Sequence, residues 1–328
     1  GGLQTRTFIS SKILIFFIVK IIYGKTTNYL IIFQFNHRTE RSKIRLSKGN
    51  VFFKDAEELL NKLNKLISDG FSKLQIVTDF DYTLTKHVME DGSVVLTSYG
   101  MFRECPSVPQ IYKDEDVRLA KIYKPIESDP NISVEEKIKH MEEWYTSAHS
   151  ILKGIKFPRN EIMAMGHKMV KCFRTGVTEM ISWSEKNGVP VLVFSAGLGN
   201  SVMAALAAAE FLRPNVKVVS NILDVDENDI ILGIKDKVIH TFNKNETAIK
   251  NTEYYEMVKD RSNVILMGDM IGDAGMTDGM DHCEAVIKLG FLGNDTPGNL
   301  QNYLKKFDIV LHHEPTIDVV NAILKRLL

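Results

Sequence analysis

The sequence predicts an α/β fold: a parallel sheet covered by helices on both faces, with a helical segment inserted after the first core strand. Three observations predict it. Short runs rich in β-branched residues recur from Leu74 to Thr78, Val189 to Phe194, Val216 to Val219 and Val264 to Met267, and each passes into a helical stretch or a loop. Such alternation builds a parallel sheet with helical crossovers. Between the first run and the second, from about Lys86 to Gly176, the alternation stops and the pattern becomes helical. Polar and glycine residues gather just past the ends of three of the runs, where open α/β sheets bind ligands.

Regular patterning begins near Asp55, which is placed to cap a helix carrying Leu59, Leu60, Leu63, Leu66 and Ile67 at helical spacing, with Gly70 ending it. The first strand follows at once. In the inserted segment, Ser133-Val-Glu-Glu136 reads as a capping box opening a helix toward Leu152. Residues 1–50 receive no domain assignment. Ile13 to Val19 is continuously apolar between Lys12 and Lys20, but a bilayer span needs about 20 apolar residues. This stretch is read as an irregular extension, with a signal-peptide core as the other reading. The division is therefore an extension over 1–50, a core over 51–86 and 177–328, and a helical cap over 87–176.

Composition narrows the function classes. Lysine plus arginine equals aspartate plus glutamate at 41 each, so no bulk charge draws the chain to a nucleic acid polymer or an acidic membrane. Any electrostatic function has to be local. Cys105, Cys172 and Cys283 are scattered and odd in number, which fits free thiols in a reducing, cytoplasmic setting better than a disulfide framework.

The chemistry-bearing residues sit at strand ends. Asp79-Phe-Asp81 follows the first strand, and residues two apart on an extended chain face one side. Paired carboxylates repel, so one would ordinarily hold a proton; a divalent cation relieves one and leaves the other to work as acid and base. Ser195-Ala196-Gly197 offers a hydroxyl and backbone N–H groups ahead of a helix, a cradle for phosphate oxygens. Lys244 can neutralise charge on a transferring group. Gly268-Asp269-Met-Ile-Gly-Asp273 adds two carboxylates on a glycine-flexed loop, a donor set for a hard cation. Each piece alone is commonly a turn, a cap or a solvated lysine. Their joint occurrence in this order points to phosphate chemistry.

These four segments resemble the motifs of the haloacid dehalogenase superfamily of phosphatases. The likeness is closer to the cytosolic 5'-nucleotidase III family, the pyrimidine 5'-nucleotidases, over roughly 55–328. Val77-Thr-Asp-Phe-Asp-Tyr-Thr-Leu84, Glu142-Glu-Trp-Tyr145, Phe194-Ser-Ala-Gly-Leu-Gly199, Asn243-Lys244 and Met267-Gly-Asp-Met-Ile-Gly-Asp273 carry it. The resemblance implies a Rossmann-like haloacid dehalogenase core with an inserted helical cap. It implies that Asp79 attacks the phosphate and that Asp81 protonates the leaving oxygen and then activates water. Mg2+ would be held by the Asp79 carboxylate, the Asp81 main-chain carbonyl and Asp269, with Asp273 supporting that shell. Ser195, Ala196 and Lys244 would bind the phosphoryl oxygens. Glu127 and Tyr145 would contact the nucleobase, and Tyr99 would fill an aromatic position beside it. The implied substrates are nucleoside monophosphates, CMP and UMP first and 7-methylguanosine monophosphate as the alternative. An aspartyl phosphate would be the intermediate, open to transfer onto a nucleoside. A monomeric, cytoplasmic enzyme is expected. One departure concerns the base: the family's Trp-Tyr-Thr-Lys-Ser-His reads Trp144-Tyr-Thr-Ser-Ala-His149 here, so Ala148 replaces a serine.

Overall fold

The computed structural model describes residues 51–129, 131–293 and 298–327 in full, and the backbone alone of 14–23, 26–35 and 42–44. In chain order the strands are β1 (Leu14–Tyr23), β2 (Thr26–Phe35), β3 (Ser42–Ile44), β4 (Val51–Phe53), β5 (Leu74–Thr78), β6 (Val191–Leu198), β7 (Val216–Asn221), β8 (Leu223–Val225), β9 (Ile231–Ile234), β10 (Asn263–Gly268), β11 (Ala285–Leu292) and β12 (Ile309–His312). The α-helices are α1 (Ala56–Asp69), α2 (Ser98–Arg103), α3 (Gln110–Ser128), α4 (Val134–Ser150), α5 (Arg159–Met169), α6 (Val177–Lys186), α7 (Gly199–Ala208), α8 (Glu246–Ile249), α9 (Glu253–Val258), α10 (Asn299–Leu304) and α11 (Asp318–Leu324).

Seven strands form the central sheet in the order β4-β12-β11-β10-β5-β6-β7, parallel except for β4, which runs against β12 at the edge. Alternate residues of the inner strands go to opposite faces. Ile76, Val193, Ile265 and Met267 join the apolar cluster beneath α1, α5, α6, α7 and α11. Val77, Leu192, Val264 and Leu266 join a second cluster with Ile249, Tyr254 and Val258. Both faces are covered, so the strands read as continuous apolar runs.

The helix boundaries follow their caps. The Asp55 carboxylate accepts from the N–H groups of Glu57 (2.9 Å) and Glu58 (3.0 Å), and Gly70 ends α1 at φ 72°. Ser133 Oγ accepts from the Glu136 N–H at 3.2 Å and opens α4. Within the helical insertion, α3 and α4 share a small cluster of Leu119, Tyr123, Met141 and Ala148. Helices α2 and α5 instead bury Met101, Phe102, Ile162 and Met169 in the main core.

The extension departs from expectation. Where its backbone is described, β1 and β2 pair as an antiparallel hairpin and β3 adds to β2. Isoleucine, phenylalanine, valine and tyrosine dominate β1 and β2 and favour extended backbone. Lys12 and Ile13, which entered the signal-peptide reading, lie outside the described residues. No helix among the described residues is long and apolar enough to cross a membrane.

Candidate active site

The site lies at the carboxyl ends of three adjacent strands. β5 is flanked by β10 and β6, so the residues following these strands converge although they are far apart in sequence. Together with α2, α3 and α4 they line a cavity of about 360 Å³ that takes in Asp79, Asp81, Ser195, Lys244, Asp269 and Asp273.

Asp79 continues β5, its N–H donating to the Met267 carbonyl of β10 at 2.9 Å. The chain then turns sharply, with Tyr82 in the left-handed region at φ 59°. Arg174 holds this turn: its guanidinium donates to the carbonyls of Tyr82 (2.6 Å), Thr83 (2.7 Å) and Glu314, and lies 4.1 Å from the Phe291 ring centroid. Lys244 Nζ reaches Asp79 Oδ1 at 2.7 Å and Asp273 Oδ1 at 2.6 Å. Thr83 Oγ1 donates to the other oxygen of Asp79 at 3.2 Å.

Asp81 has different partners. Its two oxygens accept from the Ser98 N–H (2.7 Å) and hydroxyl (2.6 Å) in the first turn of α2. The Leu198 N–H donates in turn to Ser98 Oγ at 3.1 Å. Gly197 makes this approach possible, because a Cβ there would collide with Ser98 Oγ and meet Asp81 Oδ2 at 2.8 Å.

Burial pushes the Asp79 carboxyl up to about 7, with Asp273 and Asp81 adding to the rise and Lys244 opposing it. Burial pushes Asp81 up to about 6, against the Ser98 hydrogen bonds. Asp269 rises well above the usual carboxylate range, first through burial and then through Asp79 and Asp273. Lys244 is driven above its ordinary value: the two carboxylates outweigh its own desolvation, which is the largest single effect.

The segment expected to cradle phosphate coincides with an interruption in β6. Its pairing with β7 shifts register between Phe194 and Leu198, so Ser195, Ala196 and Gly197 are missing from the regular ladder. Ser195 Oγ accepts from the Gly197 N–H at 3.0 Å. The Ala196 carbonyl is held by Asn221 Nδ2 at 2.8 Å and by the Tyr145 hydroxyl at 3.2 Å.

Three carboxylates, of Asp79, Asp269 and Asp273, each offer an oxygen within 4.8 Å of the others. One lysine cannot balance three clustered acids, and oxygen donors of this kind suit a hard divalent cation. The residues fit such an ion. Asp273 also braces the loop, its Oδ2 accepting from the N–H groups of Asp269 (3.2 Å) and Met270 (2.9 Å). Gly268 has to be glycine there, since a Cβ would strike the Asp273 side chain. The Asp81 carboxylate stands with Ser98 and outside this cluster, so a main-chain contribution is the one open to it.

Glu127, Tyr145, Tyr99 and Trp144 line the same cavity from the helical side. Tyr99 and Tyr145 meet edge to face at 6.3 Å, and the Tyr99 hydroxyl and His149 Nε2 share a hydrogen bond at 3.0 Å. Glu127 Oε1 accepts from the Thr241 hydroxyl at 2.7 Å. Sequence reading missed Ser98, Arg174 and Thr241. Arg174 and Thr241 meet partners about a hundred residues away and Ser98 meets Asp81 across an irregular loop, and nothing in their local pattern marks them.

With the geometry in place, comparison decides the family. The family model for pyrimidine 5'-nucleotidase (UMPH-1) matches residues 82–328. The chain belongs to this family. The match takes in Ser195, Lys244, Asp269 and Asp273 and begins one residue after Asp81. A 7-methylguanosine phosphate-specific 5'-nucleotidase of Drosophila melanogaster is 40% identical over 280 residues, 85% of this chain and 88% of the relative. The Homo sapiens protein of that name is 32% identical, over 86% of this chain and 94% of its own length. A crystal structure of cytosolic 5'-nucleotidase IIIB bound to cytidine superposes with a TM-score of 0.82 at 40% identity, covering 86% of this chain and 95% of that one. The fold expected from the strand-end motifs, a haloacid dehalogenase-like core with a helical cap, is the one this 5'-nucleotidase adopts.

Proposed function

We propose that this 5'-nucleotidase hydrolyses 7-methylguanosine monophosphate and CMP to nucleoside and phosphate, through an aspartyl phosphate on Asp79 and with Mg2+ as cofactor. The observation that carries the mechanism is the opposite setting of two neighbouring acids. Asp79 sits against the Lys244 ammonium, which favours the anion that attacks. Asp81 is turned onto Ser98 and away from that ammonium, a setting that suits a group which gives and then takes a proton.

A carboxylate oxygen of Asp79 attacks phosphorus, and the bond from phosphorus to the ribose oxygen breaks as Asp81 gives that oxygen its proton. In the second half, Asp81 takes a proton from water, whose oxygen attacks phosphorus and releases Asp79 and phosphate. Lys244, the Ser195 hydroxyl and the Ala196 N–H hold the phosphoryl oxygens. Held by Asp79, Asp269 and the Asp81 carbonyl, Mg2+ would shield one anion from the other, with Asp273 bracing the shell. Helices α3 and α4 of the 87–176 insertion line the cavity and would keep bulk water out, and a nucleoside hydroxyl admitted instead would make the enzyme a phosphotransferase.

The base reading rests on Glu127 among Tyr99, Tyr145 and Trp144. An ionised carboxylate only accepts hydrogen bonds, and both cytosine and guanine present amino donors. Aromatic faces beside an acid also suit a methylated, cationic purine. The curated relatives' names and the cytidine in the related structure support both substrates. UMP, expected at first alongside CMP, offers O4 as an acceptor instead and falls behind. A monomer working in the cytosol fits the cytosolic relative and the three free thiols.

Phosphate release from 7-methylguanosine monophosphate, CMP, UMP, AMP and ribose 5-phosphate, with Mg2+ and with chelator, tests the reading. The first two should lead, and chelation should stop turnover. Asp79→Asn should lower kcat by at least about a thousandfold with the fold intact. Retained turnover in that variant would remove Asp79 as nucleophile.

A further inference from the structure

Glu127 is not free to choose its orientation, and the group that fixes it belongs to the core. Lys137 Nζ donates to the Glu127 main-chain carbonyl at 2.9 Å. The Thr241 hydroxyl donates to Oε1 at 2.7 Å. Among the described residues no protein donor reaches Oε2, while Glu127 lines the cavity.

Thr241 stands on a loop built to hold it. The Asn221 side chain bonds both the N–H and the carbonyl of Ile239, each at 2.8 Å. Asn243 closes the turn by accepting from the His240 N–H (2.7 Å) and donating to the Val238 carbonyl (2.8 Å). Phe242 packs against the Leu119, Tyr123, Met141 and Ala148 cluster, with Lys137 Nζ 5.6 Å from its ring centroid. On the other side, Gly272 of the acidic loop has no room for a Cβ because Thr241 fills it. Three residues on, Lys244 grips Asp79 and Asp273.

We propose that Thr241 is a positioning residue for substrate choice: its hydroxyl occupies Glu127 Oε1 and so aims Oε2 at the nucleobase. The proposal rests on the reading of Glu127 as the base acceptor. A hydroxyl donor holding one oxygen leaves the other to accept from an amino group in a fixed direction. Without it the carboxylate can rotate, and pre-organisation of the base contact is lost. The 239–244 loop thereby ties base recognition to the lysine at the reacting phosphate.

The test is a comparison of substrates in the full chain. For Thr241→Val, Thr241→Ser and Glu127→Ala, kcat and KM are measured on CMP, 7-methylguanosine monophosphate and ribose 5-phosphate. Valine matches threonine in shape but cannot donate. The ratio of kcat/KM on either nucleotide to that on ribose 5-phosphate should fall roughly tenfold in Thr241→Val, mainly through KM. Thr241→Ser should restore it to within about twofold, because serine keeps the donor. Thr241→Val combined with Glu127→Ala should be no worse than Glu127→Ala alone. Equal losses on all three substrates in a Thr241→Val protein whose circular dichroism and urea unfolding match wild type, or no rescue by serine, would overturn the proposal and assign Thr241 to scaffolding. If Glu127→Ala itself left the ratio unchanged, the base reading of Glu127 would fall first and take the proposal with it. A misfolded Thr241→Val would show as failure on ribose 5-phosphate too, and Thr241→Ser against Thr241→Ala then decides by the same ratio.

Discussion

Asp79 and Asp81 are two residues apart, yet one faces an ammonium and the other a serine. That contrast is written in residues 98 and 244, and only the lysine was legible in the sequence, because an Asn-Lys pair accompanies the other phosphatase segments. Ser98 carries no such mark: a serine opening a short helix is ordinary, and its partners Asp81 and Leu198 are reached only through the fold. Glu127 shows what a single environment adds to a residue. Burial raises its pKa above the ordinary value, with the Thr241 hydrogen bond opposing. Protonated, the carboxyl can donate; ionised, it cannot. CMP needs the ionised form and UMP the protonated one, so the UMP-to-CMP ratio of kcat/KM should rise as the pH falls. Taking a ratio cancels the titration of the shared catalytic acids. Glu127→Gln, which always donates through its amide, should raise the ratio and flatten it; a wild-type ratio independent of pH would remove Glu127 from base contact.

At the scale of elements, catalysis depends on how β6 ends. Its ladder is interrupted over 195–197 just where α2 must approach, and Gly197 is the point of closest contact. Gly197→Ala should push the start of α2 away and release Asp81 from Ser98. The expected result is a fall in kcat of about a hundredfold, as for reacting groups displaced by about an ångström, with a stability cost of about 1–3 kcal/mol. Steady-state kinetics and urea unfolding separate the two; an unaltered kcat would mean that Ser98 does not orient Asp81. Four strands of the central sheet, β5, β6, β7 and β10, were readable because each is a short run dense in β-branched and apolar residues. β11 escaped because Lys288 and Gly290 interrupt its run, the glycine being required by Phe307 packed against it. β4 and β12 were too short to stand out. Residues 14–35 were read as irregular because apolar length was judged against a membrane helix, although their β-branched and aromatic content favours strands.

Across the whole molecule, the sheet order explains why motifs from 79 to 273 meet: the nucleophile's strand lies between the strand of the phosphate cradle and that of the acidic loop. Order in space differs from order in sequence, so the meeting could be inferred from the motifs' chemistry but not from spacing. Among the described residues, none that lines the cavity precedes Asp79, and no site motif stands before the first core strand in the sequence. A chain beginning at Asn50 should therefore keep kcat and KM within about twofold, whereas removing Val51–Phe53 would strip the edge of β12; a large fall in kcat for the first truncation would give the extension a part in the site. The last expectation joins the helical cap to global stability through His149, buried beneath Tyr99 and Tyr145. Burial lowers its pKa from 6.5 to about 4, and its Nε2 shares a hydrogen bond with the Tyr99 hydroxyl. The unfolded chain thus binds this proton at a higher pH than the folded one. The stability it contributes is present above about pH 6.5 and drains away as the pH falls toward 4. His149→Gln keeps a hydrogen-bonding partner for Tyr99, as donor or acceptor, but does not titrate. Between about pH 7 and about pH 4.5, wild type should lose about 2–3 kcal/mol more than this variant in urea unfolding. Other acids, Asp79 and Asp269 included, titrate in both proteins and cancel in the difference. Parallel pH dependence in the two would show that His149 takes up its proton in the folded state as readily as in the unfolded one.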